Sequence, residues 1–204
     1  MPGFDDWRYR LKVGSVVGLW FCSLYFLTDL VTLNRTNLAS LTTPLDRLIP
    51  FWPWFAFAYL SVTPLLCLPL LVLPKRTDIQ ALAATLMVQI ALAALVFLVF
   101  PVTGPNPAPT QAPKVFYWAD AVNLSYNNFP SLHVALTATT ALALRGHLGR
   151  VQGLVMLWAA AICVSTLFTW QHTLADVSGG LALAALGHWA IRPRISARLA
   201  ATPG

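Results

Sequence analysis

Two histidines and one aspartate carry the chemistry that this sequence could perform. The segment Asn128-Phe129-Pro130-Ser131-Leu132-His133 puts His133 in the opening turn of an expected helix, because Pro130 suits a first helical turn and Asn128 suits a cap. The segment His172-Thr173-Leu174-Ala175-Asp176 spaces an imidazole and a carboxylate four residues apart, which predicts that they share one helix face. A carboxylate beside one ring nitrogen fixes the tautomer and leaves the other nitrogen with its lone pair, free to attack phosphorus. A second histidine can protonate the departing alkoxide and then activate the water or alcohol that resolves the intermediate. The helix start next to His133 would offer main-chain N–H groups to phosphate oxygens, and Ser131 would add a hydroxyl.

The elements that must position these groups are apolar. The 204-residue chain is 57% apolar and 10% charged, far below the roughly 25% charged residues of a soluble domain. Six apolar runs stand out: 13–33, 51–73, 79–100, 130–144, 151–170 and 174–191. Most approach the ~20 residues needed to cross a bilayer; the run 130–144 is short for that. The expected fold is all-α, an integral membrane bundle of six transmembrane helices forming a single membrane domain over 1–204. A cleaved signal peptide fits the first run less well, since it is long, contains Asp29 and precedes further apolar runs. Pro53, Pro64 and Pro69 should kink the second run. The linker 101–129 holds five prolines before its aromatic trio Phe116-Tyr117-Trp118, and predicts irregular chain followed by a short interfacial helix near 115–126. The basic tail from Arg192 is expected to be mobile.

With the N-terminus inside, ten Lys and Arg residues fall on the inner side; only Arg35, Arg47 and Lys114 fall outside. That asymmetry fits both termini in the cytoplasm and sets the starts of the fourth and sixth runs at the outer, periplasmic side of a bacterial inner membrane. His133 and His172 are then expected to face each other there. The net charge of +6 caps hydrophobic runs instead of forming a stripe, which argues against nucleic acid as a partner. Cys22, Cys67 and Cys163 lie within apolar runs and predict neither a disulfide nor a zinc site. Two histidines and an aspartate could ligate zinc, yet His-Glu-x-x-His spacing is lacking, and Ser178 has no nucleophile-elbow context. His147 and His188 read as inner-interface residues, Asp29 as an interfacial or helix-pairing residue, and Gly179-Gly180 as a close-packing point.

Phe129-Pro130-Ser131-Leu132-His133 resembles the second motif, Pro-Ser-x-x or Pro-Ser-Gly-His, of the type 2 phosphatidic acid phosphatase superfamily, which includes lipid phosphate phosphatases and vanadium haloperoxidases. Ser165-Thr166, five residues, His172, three residues and Asp176 resemble its third motif, Ser-Arg-x5-His-x3-Asp. The resemblance covers roughly 100–191 and implies His172 as nucleophile, Asp176 as its orienter and His133 as general acid. Two departures stand out. The family's first motif, Lys-x6-Arg-Pro, is missing where the chain reads Phe100-Pro101-Val102-Thr103-Gly104-Pro105-Asn106-Pro107, and Thr166 replaces the motif-three arginine. Both are similar to the inositol phosphorylceramide synthase branch, whose second motif reads Phe-Pro-Ser-Leu-His and whose third begins Ser-Thr. Ser131, Ser165, Thr166 and Lys114 are the expected substrate-binding residues, with Lys114, Arg35 or Arg47 as replacement cations. No metal and no soluble cofactor are implied.

Three functions follow as expectations. The first is a lipid phosphatase cleaving a phosphate monoester or diphosphate at the outer leaflet through a phosphohistidine, acting on a phospholipid or polyprenyl phosphate. The second is a phosphotransferase moving a phosphoryl or phospho-head-group between lipids. The third is a non-catalytic membrane transport or assembly protein on the same scaffold. The sequence assigns no oligomeric state.

Overall fold

The structure is a computed structural model that describes residues 4–105 and 111–201. The described residues form nine α-helices: α1 (Phe4–Thr32), α2 (Ala56–Leu60), α3 (Val62–Val72), α4 (Arg76–Val99), α5 (Lys114–Ala121), α6 (Leu132–Ala143), α7 (Gln152–Phe168), α8 (Leu174–Ala185) and α9 (Arg192–Ala201). The fold is all-α; among the described residues, pairing between extended segments is limited to two isolated bridges, Ala39 with Val102 and Val102 with Asn127. Five helical stretches are long and apolar enough to cross a bilayer: Asp6–Thr32, Pro53–Val72, Arg76–Val99, Gly149–Phe168 and Leu174–Ala201. The expected fourth crossing, α6, has 12 residues, about 18 Å of helix against a ~30 Å hydrocarbon core.

The pattern of exposure fits an integral membrane protein. On α1, Leu19 is 69% exposed and Leu30 is 66% exposed, a surface that water would penalise and lipid would not. The second run breaks at Ser61 between α2 and α3, because Pro64 cannot donate to the Leu60 carbonyl and its ring crowds that group. The Ser61 hydroxyl donates to the Ala58 carbonyl at 2.6 Å. α4 runs through the middle of the bundle with Leu82, Leu86, Ile90 and Phe97 buried. Gln89 on α4 donates to the Thr139 hydroxyl of α6 and to the Leu183 carbonyl of α8, each at 2.8 Å.

Three local expectations are corrected. Helix α1 begins at Phe4, so the polar start is largely helical. The tail from Arg192 is α9, which packs against α4. A π turn at Leu186–Ile191 lies just ahead of Pro193 and widens the helix where the proline ring would otherwise meet the Trp189 carbonyl. The interfacial helix ends at Ala121, earlier than expected. Of the linker prolines, Pro107 and Pro109 lie outside the described residues.

Loops from distant parts of the chain assemble at one end of the bundle. Thr103 N–H donates to the Ala39 carbonyl, Trp52 N–H to the Phe168 carbonyl, and the Trp170 indole to the Ile49 carbonyl. The starts of α6 and α8 sit at this end, joined by Ser131 N–H donating to the Asp176 carbonyl at 3.0 Å.

Candidate active site

The third-motif segment is built by the end of α7. Gln171 N–H bonds to the Thr166 carbonyl and Trp170 N–H to the Leu167 carbonyl, with Trp170 at φ +54°. This is the paired-bond helix stop that normally recruits glycine at the left-handed position. A tryptophan there costs about 1–2 kcal/mol, offset by its indole bond to Ile49 and its packing against Phe51. The reversal lets His172 N–H also donate to the Thr166 carbonyl, at 3.1 Å. Ser165 and Thr166 are fully buried, and each hydroxyl donates back to its own helix, to Ile162 and Cys163.

His172 does not lie on a helix face with Asp176, as the spacing suggested. Helix α8 starts at Leu174, Thr173 is its N-cap, and His172 precedes the cap. Thr173 and Asp176 form a reciprocal capping box: Asp176 N–H donates to the Thr173 hydroxyl, and Thr173 N–H to Asp176 Oδ2 at 2.7 Å. The box brings His172 Nδ1 to 3.6 Å from that same oxygen. This is ion-pair range and too long for a direct hydrogen bond. His172 Nδ1 and Asp176 Oδ1 are both buried without hydrogen-bond partners.

A second carboxylate serves the same helix start. Leu174 N–H donates to Asp46 Oδ1 at 2.7 Å, while Asp46 Oδ2 accepts from the Thr43 N–H at 2.7 Å and the Thr43 hydroxyl at 2.5 Å. Burial pushes the Asp46 carboxyl up, but these hydrogen bonds outweigh it and hold it below the usual carboxylate range.

Helix α6 is capped by Ser131, whose hydroxyl accepts from Val134 N–H. Asn128, the expected cap, instead donates to the Val102 and Ser125 carbonyls and fastens the linker; it stands too far upstream to reach the first turn. Ala135 N–H bonds to the Ser131 carbonyl, so helix geometry leaves the Leu132 and His133 amides without intrahelical acceptors. Close approach of α6 and α8 depends on Gly180, where an added Cβ would lie 2.6 Å from the Ser131 carbonyl oxygen.

His133 and His172 line one end of a cavity of about 670 Å³, together with Tyr59 and Asn127. The Tyr59 and His133 rings stack with centroids 4.0 Å apart. The Tyr59 hydroxyl and His133 Nε2 are both buried without partners. Lys114 is exposed at the start of α5, and neither it nor Arg35 nor Arg47 lines this cavity; Arg35 donates to the Leu98 carbonyl. Ser131, Ser165 and Thr166 are buried and do not line this cavity.

A family model described as the PAP2 superfamily matches residues 41–190. The chain belongs to the PAP2 superfamily. This is the type 2 phosphatidic acid phosphatase superfamily, and PAP2 members are phosphatases and phosphotransferases, which supports an enzyme acting on phosphate esters. No curated protein and no solved structure is detectably similar to the chain. The PAP2 match includes Asp46 and Tyr59, and leaves all of α1 outside it. Sequence reasoning missed both residues. Thr43-Pro44-Leu45-Asp46 carries a threonine-to-aspartate capping spacing that could have flagged Asp46, and Tyr59 is a polar-tipped ring inside an apolar run.

Proposed function

We propose that this PAP2 protein is an integral membrane enzyme of six crossings that cleaves a lipid phosphate monoester or diphosphate through a phosphohistidine. The observation that carries the reading is that His133 and His172 line the same end of one cavity, each with a buried ring nitrogen lacking a partner. His172 Nε2 attacks phosphorus while the Asp176 carboxylate, 3.6 Å from the opposite Nδ1, closes on that side of the ring to orient it. The P–O bond to the lipid breaks, and His133 delivers its proton to the departing alkoxide. Neutral His133 then takes a proton from water, the hydroxide attacks phosphorus, and the P–N bond breaks to release phosphate and regenerate His172. The free Leu132 and His133 amides stabilise charge on the phosphoryl oxygens.

A second reading is favoured by Thr166 and by the absence of Arg35, Arg47 and Lys114 from the cavity wall. Both features suit the inositol phosphorylceramide synthase-like branch, in which a lipid alcohol replaces water in the second step. On the proposed topology both termini are cytoplasmic, α6 completes the sixth crossing from a recessed start, and the histidines open to the outer leaflet of a bacterial inner membrane. The whole chain acts as one membrane domain.

Purified protein in detergent, given phosphatidic acid or a polyprenyl phosphate, is expected to free inorganic phosphate. Product that forms only when an alcohol acceptor is added selects the transferase. Vanadate should inhibit by occupying the pentavalent phosphorus site, whereas EDTA should have no effect; retained turnover in His172→Ala together with EDTA sensitivity would overturn the phosphohistidine route.

A further inference from the structure

The cavity that begins at the histidines does not end near them. It is lined along α1 from Leu11 to Tyr25, along α3 from Val62 to Leu70 and along α4 from Ile79 to Ile90. Leu11 and Tyr25 are 14 residues apart on one helix, which at ~1.5 Å per residue makes the cleft about 21 Å long. Half of a ~30 Å hydrocarbon core is about 15 Å, so a chain lying in the cleft passes the bilayer midplane. Tyr59, Asn127, His133 and His172 gather at one end, Ser15 and Thr63 lie farther along the walls, and the opposite end is walled by Leu11, Pro69 and Leu70.

The cleft is shut at its foot and open along its side. Arg10 donates to the Leu70 and Leu73 carbonyls at 2.7 and 2.9 Å, clamping α1 to the end of α3. A Cβ on Gly14 would lie 2.9 Å from Leu70 Cδ1. One turn higher, Gly18 has no atom within 4 Å of its Cβ direction, although it lines the cleft. Cys22 on α1 and Cys67 on α3 also line the cleft and are exposed, so the gap between these helices opens sideways toward lipid.

We propose that this cleft holds one extended hydrocarbon chain of the substrate, longer than a single leaflet, and that Gly18 and the Arg10–Leu70 foot set the chain length accepted. The proposal rests on the phosphohistidine reading above for the head-group end. Burial of apolar surface does not drive a chain from lipid into the cleft, because the bilayer is equally apolar. Continuity does the selecting. A chain tethered to a phosphate at His172 lies where the cleft leads, and packing along its walls discriminates by length. The α1 wall lies outside the PAP2 match.

The test uses the full chain in nanodiscs with two polyprenyl phosphates, one shorter and one longer than a leaflet. Turnover of the long chain relative to the short one is expected to fall about tenfold in Gly18→Phe, the scale on which apolar pockets discriminate. Leu19→Phe, on the lipid-facing side of α1, should keep the wild-type ratio. A ratio unchanged in Gly18→Phe overturns the tail site while leaving the phosphatase reading intact. Should wild-type protein turn over neither substrate, thermal shifts with long- and short-chain phosphonates decide the tail site alone: a preference for the long chain that Gly18→Phe removes supports it, and equal shifts overturn it.

Discussion

The starts of α6 and α8 lie side by side, joined through Ser131 and Asp176, yet they are equipped differently. At α8 the first-turn amides meet a capping box and a carboxylate from more than a hundred residues away, Asp46. Two negative groups sit on the positive end of that helix dipole. At α6 a single neutral hydroxyl caps one amide, the first turn holds no acidic residue, and the Leu132 and His133 amides have no acceptor within the helix. One helix start is saturated with anions and therefore serves as a fixed mount for His172. The other, beside His133, carries no carboxylate in its first turn. On the proposed mechanism this division would let the α6 start cradle phosphate without lysine or arginine, since the carboxylates gather on the neighbouring helix end.

The largest expected effect tests which helix start carries the nucleophile. His172→Ala should abolish turnover, on the order of 10⁴-fold or more, if His172 forms the P–N bond as proposed. His133→Ala should cost about 10²–10⁴-fold, the span of a general acid, and a substrate with a good leaving group such as p-nitrophenyl phosphate should recover much of that loss. Stopped assays with both substrates separate the two histidines. Equal rescue of both variants would break the assignment.

The contrast in helix starts was only half legible in the sequence. The apolar runs and their prolines give the bundle, because lipid-length helices and the Pro64 break are local consequences of composition. His133 in a first turn was legible for the same reason, and the His172–Asp176 neighbourhood survived although His172 precedes α8, since a capping box also brings such residues together. Asp46 and Tyr59 were hidden. One reaches Leu174 across 128 residues and the other stacks on His133 across a helix break, and neither relation has a periodic signature. The length of α6 was visible as a short run, but the cap at Ser131 rather than Asn128 depended on where the linker's other hydrogen bonds went.

Asp46 offers the next test, of intermediate size. Its folded-state pKa is held below the usual carboxylate range by the Thr43 and Leu174 bonds, against the upward push of burial. It therefore contributes stability that is fully present above the unfolded pKa near 4 and is lost as pH falls through the lower folded value. Asp46→Asn should lower stability by about 1 kcal/mol at pH 7, roughly 2–4 °C in melting temperature for a chain of this size. The gap from wild type should narrow at pH 3 and below. Because Leu174 is two residues from His172, kcat should fall about tenfold through misplacement of the ring. A melting shift without a change in kcat would mean that the mount and the nucleophile are independent.

The smallest effect is expected at Ser131, and it sharpens the comparison most directly. Its hydroxyl accepts from Val134 N–H at 3.4 Å, the long end of a hydrogen bond. Ser131→Ala should therefore cost about 0.5 kcal/mol of stability, the low end for an N-cap. If the hydroxyl only caps the helix, kcat/KM should change by no more than about twofold, since 0.4 kcal/mol is a factor of two. If it turns toward the phosphate during turnover, kcat/KM should fall by tenfold or more with the melting temperature nearly unmoved, and vanadate affinity should drop in step. The first result leaves the α6 start as a pair of bare amides, Leu132 and His133, that hold the phosphoryl oxygens unaided. The second adds a neutral third donor to them, and the helix start opposite α8 would then bind its anion with one more group than the resting geometry presents.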